Sequence, residues 1–159
     1  MQLIRLPLAA TLIALLLLIF SHPVLAQDDA SFVKYRQKVM GSLGANMGAI
    51  AEILKNGLPH RDNIATHASA ISLAAKLIPS AFRKQIDSGR TDAERKIWQE
   101  WSEFEDAAAK LEREAARLAE VAASGDMSGL GAQVKAVGKS CGGCHKPYRK
   151  PKAESYKRR

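Results

Sequence analysis

Apolar residues recur every three or four positions along four long stretches of the chain, which places them on one face of an α-helix. The stretches cover residues 31–55, residues 61–78, a segment from about 91 to the turn at 124–129, and a segment starting near 128. Each stretch has one apolar stripe, and none is apolar on all sides. The pattern therefore predicts an all-α protein built as an antiparallel four-helix bundle, with the stripes facing a shared interior.

Local signals predict where the helices begin and end. Pro79 is expected to end the second helix, because a proline in a helix interior removes a backbone hydrogen bond. Thr91 and Glu94 have the T-x-x-E spacing of a capping box, which predicts the start of the third helix. The segment between these two helices is a long connector. Phe82 and Ile86 are expected to pack the connector against the bundle.

The first 26 residues have the layout of a cleavable export signal. Arg5 precedes a long apolar run, and small residues stand at the −3 and −1 positions of a cleavage site after Ala26. The apolar run is somewhat short for a membrane span of about 20 residues, so an uncleaved anchor is the weaker alternative. We expect residues 1–26 to be removed and residues 27–159 to form one domain.

Both cysteines of the chain lie in one motif near the C-terminus, where His145 directly follows Cys141 and Cys144. The C-x-x-C-H spacing is typical of c-type haem attachment. Two thiols one helical turn apart can add to two vinyl groups on one edge of haem, and the adjacent imidazole can bind the iron. The motif is expected well inside the fourth helix.

Two other chemistries use cysteines at this spacing. A disulfide oxidoreductase usually places its cysteines at a helix N-terminus in a βαβ unit, where the thiol pKa is lowered. A structural zinc site normally needs four protein ligands, of which this motif supplies three. The all-helical pattern and the position of the motif inside a helix favour haem over both alternatives.

Three segments resemble the class II c-type cytochromes, a family that comprises cytochrome c prime and the low-spin cytochrome c-556. They are VKYRQKVMGSLGANMGAI in the first helix, IWQEWSEF in the third, and VGKSCGGCHKPYRK near the C-terminus. The resemblance covers essentially the whole chain after the export signal. It implies a four-helix bundle with one covalent haem c near the C-terminus, in an exported bacterial protein that is periplasmic and often homodimeric.

The resemblance also implies roles for single residues. Met40 stands at the distal position, where cytochrome c-556 uses a methionine as second axial ligand of the iron. The sequence around Met40 favours that low-spin form and hence a one-electron carrier. The alternative is a five-coordinate, high-spin site of the cytochrome c prime type that binds NO or CO. Arg36 is expected to face a haem propionate, and Arg149 to lie over the proximal side, one turn after His145.

An enzyme such as a peroxidase is a third class of function. It would need acid–base groups on the distal side of the haem. The residues of the first helix that are expected to face the haem near Met40 are methionine, leucine, glycine and alanine, and no histidine, aspartate or glutamate stands near them. The sequence therefore predicts an electron-transfer haem protein and no enzyme.

The chain has a net charge of +8, and its C-terminal end is strongly basic. These charges are expected to steer acidic redox partner proteins and to permit contact with an anionic membrane surface without insertion. Nucleic acid is not an expected partner of an exported protein. The tail after Pro151 is expected to be frayed. The basic residues are Lys146, Arg149, Lys150, Lys152, Lys157, Arg158 and Arg159.

Overall fold

The computed structural model describes residues 28–125 and 127–158, so the predicted export signal at 1–26 lies outside the described residues. None of the helices described there is long and apolar enough to cross a membrane. The described helices are α1 (Asp29–Lys55), α2 (Asn63–Ala75), α3 (Ile78–Phe82), α4 (Lys96–Gln99), α5 (Trp101–Ala123) and α6 (Met127–Tyr148), followed by 3₁₀ turns at Lys152–Glu154 and Tyr156–Arg158. The predicted all-α bundle is confirmed, with α1, α2, α5 and α6 as its long helices.

The long helices are packed together on three sides of the bundle. Helix α2 packs on both α1 and α5, and α6 packs on α5. In the part of the chain that the structure describes, the backbones of α1 and α6 come close at hardly any point. A bundle of four helices normally has four packed sides. Here the side between the first and last helices is loosely packed, and we call it the open side; these are the helices that carry Met40 and the C-x-x-C-H motif.

An aromatic group closes one region of the core, where α3, α5 and α6 meet. The Phe104 ring lies at its centre, with centroids 5.3 Å from Phe82, 5.6 Å from Trp101 and 5.4 Å from Tyr148. The contact with Tyr148 is edge to face, an arrangement that aromatic pairs prefer. These contacts fix the end of α6, just after the cysteine motif, against the bundle. The largest side chains with almost no exposed surface are Ile50, Ile64, Ile71, Ile97, Leu118 and Val137.

The predicted end of the second helix is wrong. Helix α2 already ends at Ala75, and Pro79 lies in the first turn of α3 instead of closing a helix. A proline is tolerated there because the first backbone N–H groups of a helix have no partner within the helix. A short helix, α3, thus precedes the irregular part of the connector. Phe82 and Ile86 are both buried, as predicted.

The predicted capping box at Thr91 and Glu94 is not formed. The Thr91 hydroxyl accepts a hydrogen bond from the backbone N–H of Ala93 at 3.2 Å, which closes a local turn. The backbone N–H of Glu94 instead donates to the carbonyl of Tyr148 at 3.1 Å. Helix α4 begins only at Lys96. A long-range contact with the end of α6 therefore replaces the local cap.

The C-terminal tail is not frayed as predicted. Two 3₁₀ turns follow Pro151, and the Ser155 residue between them is buried. Its hydroxyl donates to the carboxylate of Asp92 at 2.9 Å. This contact spans 63 residues of sequence. The many basic residues of the tail predict that it is solvated. Its partner, Asp92, lies far away along the chain and leaves no local signal in the sequence.

Replacing Leu118 by alanine is expected to lower the free energy of unfolding by about 2–5 kcal/mol, because the side chain has no exposed surface and its loss leaves a cavity. The matched control is Leu73→Ala, at a residue that is 64% exposed, with an expected change within about 0.5 kcal/mol. Urea titrations followed by circular dichroism measure both values. Equal losses for the two variants would contradict this assignment of the core.

Candidate haem-binding site

The C-x-x-C-H motif occupies the last two turns of α6. Cys141 and Cys144 are half-buried and pack against the hydrophobic core, whereas the adjacent His145 is exposed. Residues three apart on a helix lie on the same face, one turn from each other. The two sulfurs are thus on one side of α6, as attachment to one edge of a haem requires.

The two thiols are not suited to disulfide exchange. Burial raises the pKa of Cys141, and burial together with the nearby Cys141 raises the pKa of Cys144 to about 11. Reactive C-x-x-C motifs need the opposite shift, which helix N-termini and nearby positive charges produce. The motif here lies at the C-terminal end of α6. Both groups therefore remain protonated thiols at neutral pH.

A structural zinc site also lacks ligands. Across residues 28–125 and 127–158, no group of three or more His, Cys, Asp or Glu residues is arranged to hold a metal ion. A closed zinc site needs four such ligands. Of the three chemistries that the motif allows, haem attachment is the one that the described residues fit.

The surroundings of His145 favour the neutral form of its imidazole. The residue as a whole is exposed, but part of its ring is shielded from water. This desolvation lowers the pKa of His145, and the positive charge of Arg149 lowers it further. A neutral imidazole is the form that binds a metal. Arg149 lies one helical turn after His145, and its guanidinium is 3.6 Å from the carboxylate of Asp92.

The two glycines of the motif leave the surface of α6 uncrowded. Apart from atoms of their chain neighbours and of the nearby helix backbone, nothing lies within 4 Å of the point where a Cβ would stand on Gly142 or Gly143. The motif also lies on the helix that has few close contacts with α1. The residues present therefore fit a covalently attached haem, with Cys141 and Cys144 to hold it and His145 beside them.

Met40, the predicted distal residue, lies on α1. It is half-buried and packs against the hydrophobic core. Met47 is also half-buried on α1, but it is two turns away, about 10 Å along the helix axis. The two sulfurs therefore cannot serve one iron atom from a regular helix. The assignment of Met40 as an axial ligand stays a prediction.

The structure places Arg36 in a role that the sequence did not suggest. Its guanidinium is buried and donates from Nε to the carbonyl of Ala81 at 2.9 Å and from Nη1 to that of Ile86 at 2.8 Å. Nη2 donates to the carbonyl of Lys84. The group also lies over the rings of Phe82 and Trp98, at 4.9 and 5.3 Å from their centroids.

Arg36 therefore holds the connector to α1. Three of the five guanidinium N–H groups are used in this way, which leaves two that could meet a haem propionate. The propionate contact stays a prediction. No local sequence signal could have found the carbonyl contacts, since the acceptors lie 45 to 50 residues further along the chain. Asp92 was missed for the same reason.

Known proteins with similar sequences are cytochromes. A family model described as "Cytochrome C'" matches residues 31–149. The cytochrome c' of Rhodospirillum rubrum is 34% identical over 125 residues, which is 78% of this chain and 85% of that protein. A cytochrome c-556 of Agrobacterium tumefaciens (strain II Chrys) is 34% identical over 122 residues, covering 76% and 98% of the two chains.

Solved structures share the fold. Cytochrome c prime from Shewanella frigidimarina matches with a TM-score of 0.72 and 31% identity, covering 79% of this chain and 98% of that one. A nitric oxide complex of a variant of cytochrome c prime from Alcaligenes xylosoxidans matches with a TM-score of 0.68 and 27% identity, covering 77% and 96%.

A four-helix bundle that presents a C-x-x-C-H motif at the end of its last helix defines a class II c-type cytochrome. Given the family match over most of its length, the chain belongs to the cytochrome c' family. Proteins of this family carry covalent haem c, and the two cysteines of this chain are placed to hold it. The fold and the cofactor predicted from the sequence are thus confirmed.

Replacing Arg36 by lysine is expected to lower the free energy of unfolding by about 2–4 kcal/mol, because one ammonium group cannot reach three separate carbonyl oxygens and buried acceptors lose their partners. Arg83→Lys is the control, since Arg83 is exposed and contacts the Trp101 ring at 5.1 Å. Its change is expected to stay below about 1 kcal/mol. Urea titration compares the two variants, and equal stabilities would contradict the role given to Arg36.

Proposed function

We propose that this chain is a periplasmic one-electron carrier with a low-spin haem c, held by Cys141 and Cys144 and ligated by His145 and Met40. One observation carries the proposal: the two candidate ligands lie on the two long helices that have little direct packing on each other. A haem between α1 and α6 could then be approached by Met40 from one helix and by His145 from the other. The chain belongs to the cytochrome c' family, and this membership supports a role in electron transfer or gas binding.

Each residue has a separate task in this proposal. When bound, the haem supplies an iron atom that gains and loses one electron. Cys141 and Cys144 would hold the haem to α6 through thioether bonds. His145 would offer a neutral imidazole to the iron. Met40 would offer a thioether, a ligand that favours reduced iron and leaves no place for another ligand.

The surroundings of Met40 support a carrier over an enzyme. The residues one turn away along α1 are Arg36, Gln37, Leu43 and Gly44. None of them is a carboxylate or an imidazole, the groups that general acid–base catalysis most often uses. The charge of Arg36 is already engaged by backbone carbonyls. A substrate on the distal side would therefore meet no carboxylate or imidazole from these positions of α1.

A second candidate is a five-coordinate, high-spin haem that binds NO or CO. It is favoured by the cytochrome c prime relatives, one of which has been solved as a nitric oxide complex. In that case Met40 would only shield the distal side. Methionine fills irregular spaces well, so a core role for the residue is physically reasonable.

Acidic redox proteins are the partners that we propose. Lys146, Lys152 and Lys157 are all exposed near the end of α6, close in sequence to the haem-attachment motif. A basic surface attracts an acidic partner and speeds the encounter. The predicted export signal at residues 1–26 would deliver the protein to the periplasm, where such an encounter would take place.

Replacing Met40 by leucine tests the axial pair. The wild-type protein is expected to show the thioether–iron charge-transfer band of a low-spin haem. Met40→Leu keeps the volume but removes the sulfur, so the band should disappear, CO should bind rapidly, and the midpoint potential should fall by on the order of 100 mV. Met47→Leu is the matched control, because it makes the same change two turns away and should keep the band.

Two results would decide against the carrier with a His/Met haem. A wild-type spectrum that is high-spin, with rapid CO binding, would favour the gas-binding candidate. A low-spin wild-type spectrum that Met40→Leu leaves unchanged would show that another group is the sixth ligand.

A further inference from the structure

The connector between α3 and α4, residues 83–95, contacts both of the helices that carry the proposed axial ligands. We propose that Asp92 is a positioning residue that fastens the C-terminal segment to this connector and thereby fixes the distance between α6 and α1. The part of the inference that concerns the iron rests on the function proposed above. The part that concerns the polypeptide does not.

On the α1 side, the connector is held by side chains from the helix. The buried Arg36 donates to the carbonyls of Lys84 and Ile86. One residue later, Nε2 of Gln37 donates to the carbonyl of Arg90 at 3.0 Å. These bonds hold the connector from Lys84 to Arg90. Arg36 lies one turn before Met40, so the connector is fixed close to the proposed distal ligand.

On the α6 side, the connector pairs with the backbone just after the helix. Ala93 and Arg149 form an antiparallel bridge. On its two sides, the N–H of Lys150 donates to the carbonyl of Asp92 at 2.8 Å, and the N–H of Glu94 donates to the carbonyl of Tyr148. Nζ of Lys150 adds a bond to the carbonyl of Asp87 at 2.9 Å. This pairing begins within one turn of the proposed proximal ligand.

The carboxylate of Asp92 gathers three groups from the C-terminal segment. One oxygen accepts the backbone N–H of Tyr156 at 2.9 Å, and the other accepts the hydroxyl of Ser155 at 2.9 Å. The guanidinium of Arg149 lies 3.6 Å from that second oxygen. The Asp92 side chain is only 10% exposed, which strengthens charge-assisted bonds of this kind. One side chain therefore holds the tail in place.

Much of this segment lies outside the region shared with the family. The family match ends at residue 149, whereas the residues that meet the Asp92 carboxylate include Ser155 and Tyr156. The tail is thus a feature of this chain that the family match does not account for. Its contacts with Asp92 nevertheless join it to the connector, which also contacts α1.

The spacing of α1 and α6 matters because they have little direct packing to set it. Bonds between a metal and its ligands keep their lengths to within about 0.2 Å. His145 is next to a covalent anchor, but Met40 would have to reach the iron from the other helix. A small outward movement of α6 would therefore weaken the bond to Met40 first.

The test compares four forms of the haem-loaded protein: wild type, Asp92→Asn, a chain ending at Lys150, and Asp62→Asn. Asp62→Asn is the matched control, since it makes the same change of charge at an exposed residue whose side chain makes no capping bond. The truncated chain removes the tail but keeps Asp92 and Arg149. It provides an answer even where Asp92→Asn does not accumulate.

The first measurement is the rate of tryptic cleavage after Lys152, followed by mass spectrometry under native conditions. Cleavage requires the tail to detach, so its rate reports the population of the detached form. Loss of the charged acceptor is expected to speed cleavage by about tenfold or more in Asp92→Asn, and the control should match the wild type. A rate in Asp92→Asn within about twofold of the control would overturn the fastening role.

The second measurement is the intensity of the thioether–iron band and the rate of CO binding. Asp92→Asn and the truncated chain are both expected to lose part of the band and to bind CO about tenfold faster than the control, as a weakened Met40 bond requires. If cleavage accelerates but the band and the CO rate stay at control values in both forms, the claim about helix spacing is overturned.

The two proposals fail in different ways. A wild-type protein without the band would refute ligation by Met40 and, with it, the effect of helix spacing on the iron. The fastening role of Asp92 would still be decided by the cleavage rate: acceleration in Asp92→Asn supports it, and a rate equal to that of the control rejects it.

Discussion

The open side between α1 and α6 is the constraint on which the rest of the structure depends. The other three sides of the bundle are closed by direct packing, in which α2 and α5 form the central pair. The residues with cofactor chemistry lie on the two helices that border the open side. A haem attached to α6 would supply the apolar surface that is missing there. Because a ligand that binds only the folded state stabilises it, the cofactor and the fold support each other.

Polar contacts take over where packing is absent. Arg36 is buried, and Asp92 nearly so, yet both have partners for their charges, as buried charged groups require. Arg36 binds the connector to α1, and Asp92, a residue of the connector, binds it to the C-terminal segment. Such contacts are directional and demand particular geometry. The aliphatic core holds the bundle together, while the connector and its two charged anchors give the open side a defined width.

How far the sequence predicts this molecule depends on the range of the interactions involved. The helices and the half-buried cysteine pair follow from a local repeat of three and four residues, and the structure confirms them. The prediction that Pro79 ends the second helix is wrong, because a proline is also common in the first turn of a helix. Thr91 matched a local cap, but the end of α6 provided a competing partner. The tail was predicted to fray because its partner, Asp92, lies some sixty residues away and leaves no local pattern.

The account depends most directly on a covalent bond between the chain and its cofactor. The decisive measurement is the intact mass, under denaturing conditions, of protein produced in a host that attaches haem to exported cytochromes. We expect the mass of the polypeptide plus one haem, and the polypeptide mass alone when Cys141 and Cys144 are both replaced by serine. A wild-type mass equal to that of the bare polypeptide would contradict the account, because nothing would then occupy the open side through bonds to α6.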